Sequence, residues 1–483
     1  MKQISEDNIR KPSFSFSLTV FALVVIFLSL GLLVFGGKLQ TLLFLSWLIV
    51  IPAGLHLGFK FSEIEGMAYD MIRRVLQPIM ILLAVGAMVG AWILSGTVPT
   101  LIFYGLKIIT PSLFLVTTVL LCSICSLFTG TSWGTIGTAG LAMVGIGTSM
   151  GFDGGVIAGA VVCGSYFGDK LSPLSDTTNL SPAVSGGKVM NHIKHMLWTT
   201  IPSYVITLAI FLVMGLKFGS SDIDYTQINE VTDGLNSLFH IGIIPLIPAI
   251  IVLVLLLKNK PPVVSILIGA LAGLAVAMLY QGADITTSLV SLYNGFKLDS
   301  GMEFLDKLLN RGGIASMWDT VGIFIFSCGL GGMLNGIGVL EALLQRIAAR
   351  IKTSRHLIIV TMLVGYISNM VGGTLSFAIV MTGTLMQPLY RKMRLRPENL
   401  SRTIEDVCTM SAPIIPWNTA AVYTAGVLGI SAGAFIPYIF LAFITPVFTL
   451  IYAFTGFTIA KLDEGEEYGE TEEYKFKPFK KAC

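Results

Sequence analysis

The sequence predicts an all-α protein that crosses a membrane many times, and three observations support this prediction. Of the 483 residues, 54% are hydrophobic and only 12% are charged, whereas soluble domains carry about a quarter charged residues. Apolar runs long enough to cross a bilayer recur along the chain. The charges fall between these runs, and the formal net charge of +3 gives no basic excess of the kind that nucleic-acid binding requires.

The apolar runs define the elements in chain order. The first run, residues 15–36, is followed by no small-residue cleavage site, so we expect a transmembrane helix there rather than a signal peptide. The predicted spans are 15–36, 40–58, 76–96, 111–128, 196–217, 238–257, 262–280, 315–336, 356–371 and 432–459.

Two further stretches, 129–187 and 372–430, are apolar but interrupted by Gly, Ser, Thr, Pro, Asn and isolated charges. Irregular backbone at membrane depth is tolerated only where it is buried in protein or lines a watery cavity. We therefore predict broken helices in both stretches, and re-entrant hairpins, of which the glycine-rich run 129–138 forms one tip.

Charged loops predict the orientation and the limits of the domains. Lys and Arg clusters, such as Arg73 and Arg74, are expected to face the cytoplasm, whereas the loop 218–237 carries acidic residues and no Lys or Arg. We predict a multi-pass protein of the cell membrane with both termini in the cytoplasm. The predicted parts are a cytoplasmic leader (1–14), a first transmembrane repeat (15–217), an external linker loop (218–237), a second transmembrane repeat (238–460) and a cytoplasmic tail (461–483).

A shared spacing of 242 residues (for example 332 − 90) indicates an internal repeat. The matched positions are Gly90 with Gly332, Gly96 with Gly338, Gly130 with Gly372, and Asp176 with Asn418. If the first half begins inside and the second outside, the halves have inverted topology, as in many secondary transporters. The predicted fold class is therefore an all-α polytopic membrane transporter with two inverted repeats, broken helices and re-entrant hairpins.

The chemistry is concentrated in residues 164–182, where Asp169, Lys170 and Asp176 interrupt an apolar stretch. An ionisable residue at the bilayer centre costs roughly 2.5–3.5 kcal/mol by insertion scales, so we expect a functional role or a paired charge. A carboxylate beside freed backbone carbonyls and hydroxyls can hold either a sodium ion or a proton. Competition between these two cations for one carboxylate is enough to produce exchange.

Glycine and proline are expected to create the helix breaks that free those carbonyls. In the first half we expect Gly168, Pro173 and Pro182 to interrupt a helix, and in the second half Pro413 and Pro416. Asn418 would replace Asp176 there as a neutral oxygen ligand. Asp406 would take the place of Asp169 after a five-residue shift.

Asp176 and Asp169 are predicted to lead the ion site, with Asp176 and Asn418 as direct sodium ligands. This prediction requires Asp176 to be buried beside a cavity. The remaining predicted site residues are Thr131, Ser132, Ser172, Thr177, Asn179, Thr374, Ser376 and Thr419. Two alternatives stay open: Asp169 and Lys170 could only pair with other membrane charges, and the small residues could only allow close helix packing.

Three strings resemble the NhaC-type Na+/H+ antiporter family: residues 130–135, residues 168–179 with the string G-D-K-L-S-P-L-S-D-T-T-N, and residues 413–419. The resemblance covers nearly the whole chain and implies a place among inverted-repeat ion carriers. It implies sodium and protons as the transported ions, with no cofactor and no nucleotide hydrolysis, and the sequence contains no G-x-x-x-x-G-K-[ST] phosphate loop.

The same family includes members that exchange malate and protons for lactate and sodium, and this exchange is the alternative function. Lys170 is then the candidate partner for the organic anion. Besides these ions and anions, the predicted partners are the lipid bilayer and, as an open option, a second copy of the chain.

An enzyme and a channel are less consistent with the sequence. Intramembrane aspartyl proteases pair a Tyr-Asp with a Gly-x-Gly-Asp, but Tyr69 and Asp70 lie outside the apolar spans and Tyr166 replaces the first of those glycines. A channel filter is normally built by several subunits or repeats around one axis. Two broken stretches in one chain favour a carrier.

Overall fold

The computed structural model describes residues 10–220, 225–258, 260–302, 305–306, 309–348, 351–463 and 465–469. Within these ranges the chain is helical, and an isolated bridge between Leu395 and Lys461 is the β-type pairing. The expectations for residues 1–9 of the leader, 221–224 of the linker, and 464 and 470–483 of the tail lie outside the described residues.

Fifteen α-helices precede residue 300 in the described part of the chain. They are α1 (Phe14–Leu33), α2 (Leu39–His56), α3 (Phe61–Arg74), α4 (Leu76–Leu94), α5 (Thr97–Ile108), α6 (Phe114–Thr129), α7 (Ser132–Thr135), α8 (Leu141–Ser149), α9 (Gly154–Leu171), α10 (Asp176–Ser185), α11 (Val189–Ser220), α12 (Tyr225–Leu238), α13 (Ile247–Leu257), α14 (Pro262–Leu279) and α15 (Ile285–Asn294). A π-helical segment, Ile136–Gly140, joins α7 to α8.

The remaining α-helices of the described chain lie after residue 310. They are α16 (Trp318–Gly336), α17 (Val339–Ala348), α18 (Ser354–Gly372), α19 (Leu375–Lys392), α20 (Pro397–Ile404), α21 (Thr419–Leu428), α22 (Ala432–Phe435) and α23 (Phe440–Thr455). A second π-helical segment, Glu405–Thr409, continues α20.

Seven helical segments of the described chain are long and apolar enough to cross a membrane, which confirms a polytopic all-α fold. A further pair, Thr419–Leu428 and Ala432–Tyr438, is bent by 97°. The predicted span 238–257 is shorter than expected, because a 3-10 turn at Ile244–Leu246 precedes α13. The predicted span 432–459 is broken before α23.

Part of the predicted external loop is a helix. Residues Tyr225–Leu238 form α12, in which Val231 and Leu235, four residues apart, are buried. That spacing places both side chains on one face, which packs against the protein, while Glu230 and Asp233 are exposed. The segment was expected to be a loop because its polar composition hides this short apolar stripe.

Helix boundaries repeat between the two halves, but not with one constant offset. Helices α4 and α16 both have 19 residues and begin 242 residues apart (318 − 76). Helices α10 and α21 both have 10 residues but begin 243 apart (419 − 176). One residue is therefore inserted in the second half after the start of α17. The inverted orientation of the halves remains a prediction.

This insertion corrects the register expected from the sequence. The left-handed glycine that ends α6 is Gly130 (φ 67°), and its counterpart at the end of α18 is Gly373 (φ 64°) rather than Gly372. In the same way Asn418 corresponds to Ser175, which precedes α10, and not to Asp176. The pairing of Asp176 with Asn418 is wrong by one residue.

Close packing of α9 on α6 explains the glycines of α9. A Cβ atom at Gly164 would overlap the Val119 carbonyl, and one at Gly168 would overlap the Ser123 carbonyl. Gly168 lies inside an unbroken helix, so the expectation that it interrupts the helix is wrong. Pro182 also lies inside a helix, α10, rather than at a break.

Candidate ion-binding site

The first helix break lies between α9 and α10, at residues 172–175, as Pro173 predicted. The Thr178 hydroxyl donates to the carbonyls of Asp169 and Lys170, both at 3.1 Å. The Asn179 amide donates to the carbonyls of Pro173 at 2.8 Å and Ser175 at 2.7 Å. Side chains of α10 therefore occupy carbonyls that the sequence suggested for a cation, and Asn179, which is exposed, closes the break.

Asp169 is the buried carboxylate beside this break. Its side chain is 6% exposed, and its Oδ2 accepts a hydrogen bond from the Ser132 hydroxyl at 2.8 Å. Ser132 is the first residue of α7, directly after the turn at Gly130. The Ser175 side chain is a second polar neighbour of the carboxylate. One carboxylate and two hydroxyls, all hard oxygen donors, therefore meet where two helices begin.

The other predicted residues of the first half surround this group. Ser172 and Thr177 are buried. The Ser172 hydroxyl accepts from the Leu174 amide at 3.3 Å, and the Thr177 hydroxyl lies 3.1 Å from that of Ser175. Thr131 caps α7 by accepting from the Gly134 amide at 3.2 Å. These contacts shape the break around Asp169.

Asp176 is exposed, so the expectation of a buried Asp176 is wrong. It is the first residue of α10, and the next two residues, Thr177 and Thr178, turn their side chains inward instead. Asp176 is nevertheless a charged neighbour of Asp169. It can raise the local concentration of cations, but Asp169 is the carboxylate removed from water.

The second break, at residues 415–418, is held by hydrogen bonds of side-chain amides. The Asn418 side chain accepts from the Ala420 amide at 3.1 Å and donates to Asn369 Oδ1 at 3.2 Å. Asn369 in turn donates to the Cys408 carbonyl at 2.6 Å and to the Ser411 hydroxyl at 2.7 Å. Both polar ends of Asn418 are engaged in this network.

The predicted second-half hydroxyls have structural partners or face outward. Thr374 caps α19 by accepting from the Phe377 amide at 3.3 Å, and the backbone amide of Thr419 donates to the Gly373 carbonyl at 2.8 Å. Ser376 is exposed. Among the described residues no hydrogen bond joins Asp176 to Asn418, and no group of three His, Cys, Asp or Glu side chains could hold a metal ion.

The two halves nevertheless touch beside the site. The Trp133 and Tyr423 rings are stacked with centroids 4.4 Å apart. The Tyr423 hydroxyl donates to the Trp133 carbonyl at 2.8 Å. Trp133 follows Ser132 directly, so this contact fixes α7 and with it the donor to Asp169.

A buried ion pair was not assigned from the sequence. Lys170 Nζ lies 2.5 Å from Asp406 Oδ1, and both side chains are 0% exposed. The Thr199 and Thr449 hydroxyls also donate to Asp406, at 3.0 and 2.7 Å. Asp406 therefore does not replace Asp169 but neutralises Lys170. A lone lysine in an apolar stretch signals that a partner exists, but not that it lies 236 residues away.

Glu405 was also missed as a site residue. It is 0% exposed, and its Oε1 accepts from the Ser181 hydroxyl at 2.8 Å. It opens the π-helical segment Glu405–Thr409, a type of segment often found at functional sites. The signal in the sequence is the pair of adjacent acids, Glu405 and Asp406, within the interrupted apolar stretch 372–430.

Broken helices around a buried carboxylate define the class of this protein as a membrane carrier. The sequence profile of the Na+/H+ antiporter family matches residues 162–457. The chain is 40% identical over 418 residues to the malate-2H(+)/Na(+)-lactate antiporter of Bacillus subtilis, covering 86% of this chain and 89% of that protein. It is 36% identical over 453 residues to the Na(+)/H(+) antiporter NhaC of Alkalihalophilus pseudofirmus, covering 94% and 98%.

The chain therefore belongs to the Na+/H+ antiporter family, and the resemblance to NhaC-type members is confirmed. Among solved structures, the crystal structure of the Alcanivorax borkumensis YdaH transporter aligns with 92% of this chain and 98% of its own at 13% identity, with a TM-score of 0.37. The fold described above rests on its own helices and not on that likeness.

Proposed function

We propose that the protein exchanges sodium ions for protons across the cell membrane. The observation that carries the proposal is Asp169, a buried carboxylate whose neighbours are the hydroxyls of Ser132 and Ser175 and no cationic partner among the described residues. An oxygen-lined carboxylate of this kind suits either a sodium ion or a proton. Membership of the Na+/H+ antiporter family supports the same exchange.

The burial of Asp169 supplies the coupling. An ionised carboxylate without a counter-charge is costly in a low-dielectric interior, so the vacant, charged site is unfavourable once it is closed off from water. Sodium and the proton each remove that cost, and they compete for the same oxygens. A carrier that changes access only when the Asp169 charge is neutralised must then exchange sodium for protons.

Lys170 and Asp406 have a supporting role in this proposal. Because their charges cancel and three donors hold Asp406, the lysine does not neutralise Asp169, its neighbour in the chain. The pair also fixes the end of α9 to the π-helical segment of the second half. Asp176, exposed at the start of α10, would attract cations to the site.

Exchange of organic anions is the second candidate, because the relative named as a malate-2H(+)/Na(+)-lactate antiporter is 40% identical. The anion partner suggested by the sequence, Lys170, is fully buried and bound to Asp406. An anion would therefore have to bind elsewhere or displace Asp406. The cytoplasmic location of both termini and a homodimer remain predictions.

One assay separates the two candidates. Purified protein in proteoliposomes is given an inward sodium gradient, and internal pH is followed with a trapped dye, with and without malate and lactate. Sodium-driven proton efflux without either anion is the expected result. A flux that requires malate or lactate would favour the second candidate, and the absence of sodium-driven flux in all conditions would refute both.

A further inference from the structure

Near the proposed ion site lies a second buried carboxyl group, Glu405, whose cationic neighbour Lys170 is already paired with Asp406. It is completely buried, and one of its oxygens accepts from Ser181 at 2.8 Å. The other oxygen, Oε2, accepts no hydrogen bond of normal geometry within the described part of the chain, and its polar neighbour is the Thr409 hydroxyl four residues later, which is also unpaired. An ionised carboxylate would leave an unsatisfied charge here, whereas a protonated one is neutral.

The charged groups that face Glu405 come from few elements. Helix α9 contributes Lys170 and Asp169, and the π-helical segment itself contributes Asp406 and Cys408. The Lys170 ammonium is held by Asp406 at 2.5 Å, so Glu405 meets a lysine that is already neutralised. Two carboxyl groups, Asp169 and Glu405, therefore lie near one ion pair whose charges cancel.

Helix α10 connects the two carboxyl groups mechanically. Ser175, the residue before its first turn, is a neighbour of the Asp169 carboxylate, and Ser181, six residues later, donates to Glu405. A displacement of α10 that shortens the Ser181 hydrogen bond when a sodium ion binds at Asp169 would favour the ionised form of Glu405. The occupancy of one carboxyl group is thereby linked to the other.

We propose that Glu405 is a second proton-binding site of the exchange cycle, resting on the sodium/proton exchange proposed above. With the sodium site vacant, Asp169 and Glu405 each hold a proton. When sodium binds Asp169, both O–H bonds break and both protons pass to water on the same side. The Glu405 carboxylate then lies near the Lys170 ammonium that Asp406 already holds, so the sodium-loaded state carries one more negative charge than the protonated state. The protons rebind from the opposite side as sodium leaves.

Proton release on sodium binding tests this directly. Purified protein in weakly buffered detergent is titrated with sodium, and released protons are counted with a pH dye against sodium bound. We expect about two protons per sodium ion in the unaltered protein and about one in Glu405→Gln, because only the Asp169 carboxyl group can then release a proton. The matched control is Glu398→Gln, a buried glutamate on the adjoining helix α20 that faces Arg396 and Glu466, and its ratio should stay at about two.

The outcomes separate this inference from the proposed function. A ratio of about one in the unaltered protein, lost in Asp169→Asn and unchanged in Glu405→Gln, would support sodium/proton exchange and overturn the role of Glu405. No proton release at all would refute the exchange itself. Should Glu405→Gln fail to fold, the transport current of the unaltered protein is measured on a solid-supported membrane. Exchange of two protons for one sodium ion moves net charge and would support the second proton site. Electroneutral exchange of one proton for one sodium ion would overturn it.

Discussion

The break between α9 and α10 and the break before α21 use the same backbone plan with different side chains. Each precedes a ten-residue helix, and each lies against a left-handed glycine turn, Gly130 or Gly373. The first contains a buried acid and hydroxyls, and the second contains the linked amides of Asn418 and Asn369. The comparison teaches that the fold forms two similar helix breaks. Only the first has a buried carboxylate, Asp169, whose charge a cation could neutralise.

The strongest test of this difference is Asp169→Asn. Asparagine keeps the shape and accepts from Ser132, but it offers neither a charge for sodium nor a proton to exchange. Sodium-driven proton flux in proteoliposomes should fall to the level of protein-free liposomes. Asp153→Asn, at the exposed start of α9, is the control and should retain flux. Activity in the Asp169 variant would disqualify this break as the ion site.

The next largest effect is expected for the ion pair that holds the first break to the second half. Lys170→Met leaves Asp406 buried without its counter-ion and should lower the free energy of unfolding by about 3–5 kcal/mol. The double variant Lys170→Met/Asp406→Leu removes both charges and should recover most of that loss. Thermal unfolding in detergent measures both. Equal melting temperatures for the single and double variants would show that the pair is not coupled.

Replacing the two matched capping positions should separate ion binding from stability. Ser175→Ala removes a neighbour of Asp169 and should raise the sodium concentration for half-maximal exchange about tenfold, equivalent to ~1.4 kcal/mol. Asn418→Ala removes a helix cap and should cost about 1 kcal/mol of stability with an unchanged sodium requirement. Sodium-dependent rates and melting temperatures distinguish them, and a reversed pattern would move the site to the second half.

The smallest effect is expected for Asp176, because its carboxylate is exposed. Asp176→Asn should raise the half-maximal sodium concentration only about two- to fivefold, by weakening electrostatic attraction that salt screens. The difference from the unaltered protein should shrink when choline chloride raises the ionic strength. Complete loss of exchange would instead restore Asp176 as the principal ligand.

The sequence predicts the membrane class, most of the spans and both helix breaks, because apolar length and proline position are local properties. It does not predict which aspartate is buried. Asp169 and Asp176 are seven residues apart in the same motif, and their difference depends on how α9 packs on α6 and which face of α10 turns inward. These are properties of the assembled helices.

Long-range partners are likewise hidden from the sequence. The pairing of Lys170 with Asp406 depends on contact between the halves, and a one-residue insertion displaced the expected match for Asp176. Glycine spacing detected the repeat but not the insertion, because several neighbouring glycines, such as Gly372 and Gly373, fit equally well. The helix caps were needed to fix the register.

The glycine contacts between α9 and α6 limit where the protein can move. With backbone pressed on backbone at Gly164 and Gly168, the two helices cannot slide along each other without steric overlap, so they form one rigid unit. Flexing close to Asp169 is then confined to the two turns beside it, the Gly130 turn and residues 172–175. The helix that carries Asp169 is thus held rigidly, and the turns that could flex lie within a few residues of the proposed ion site.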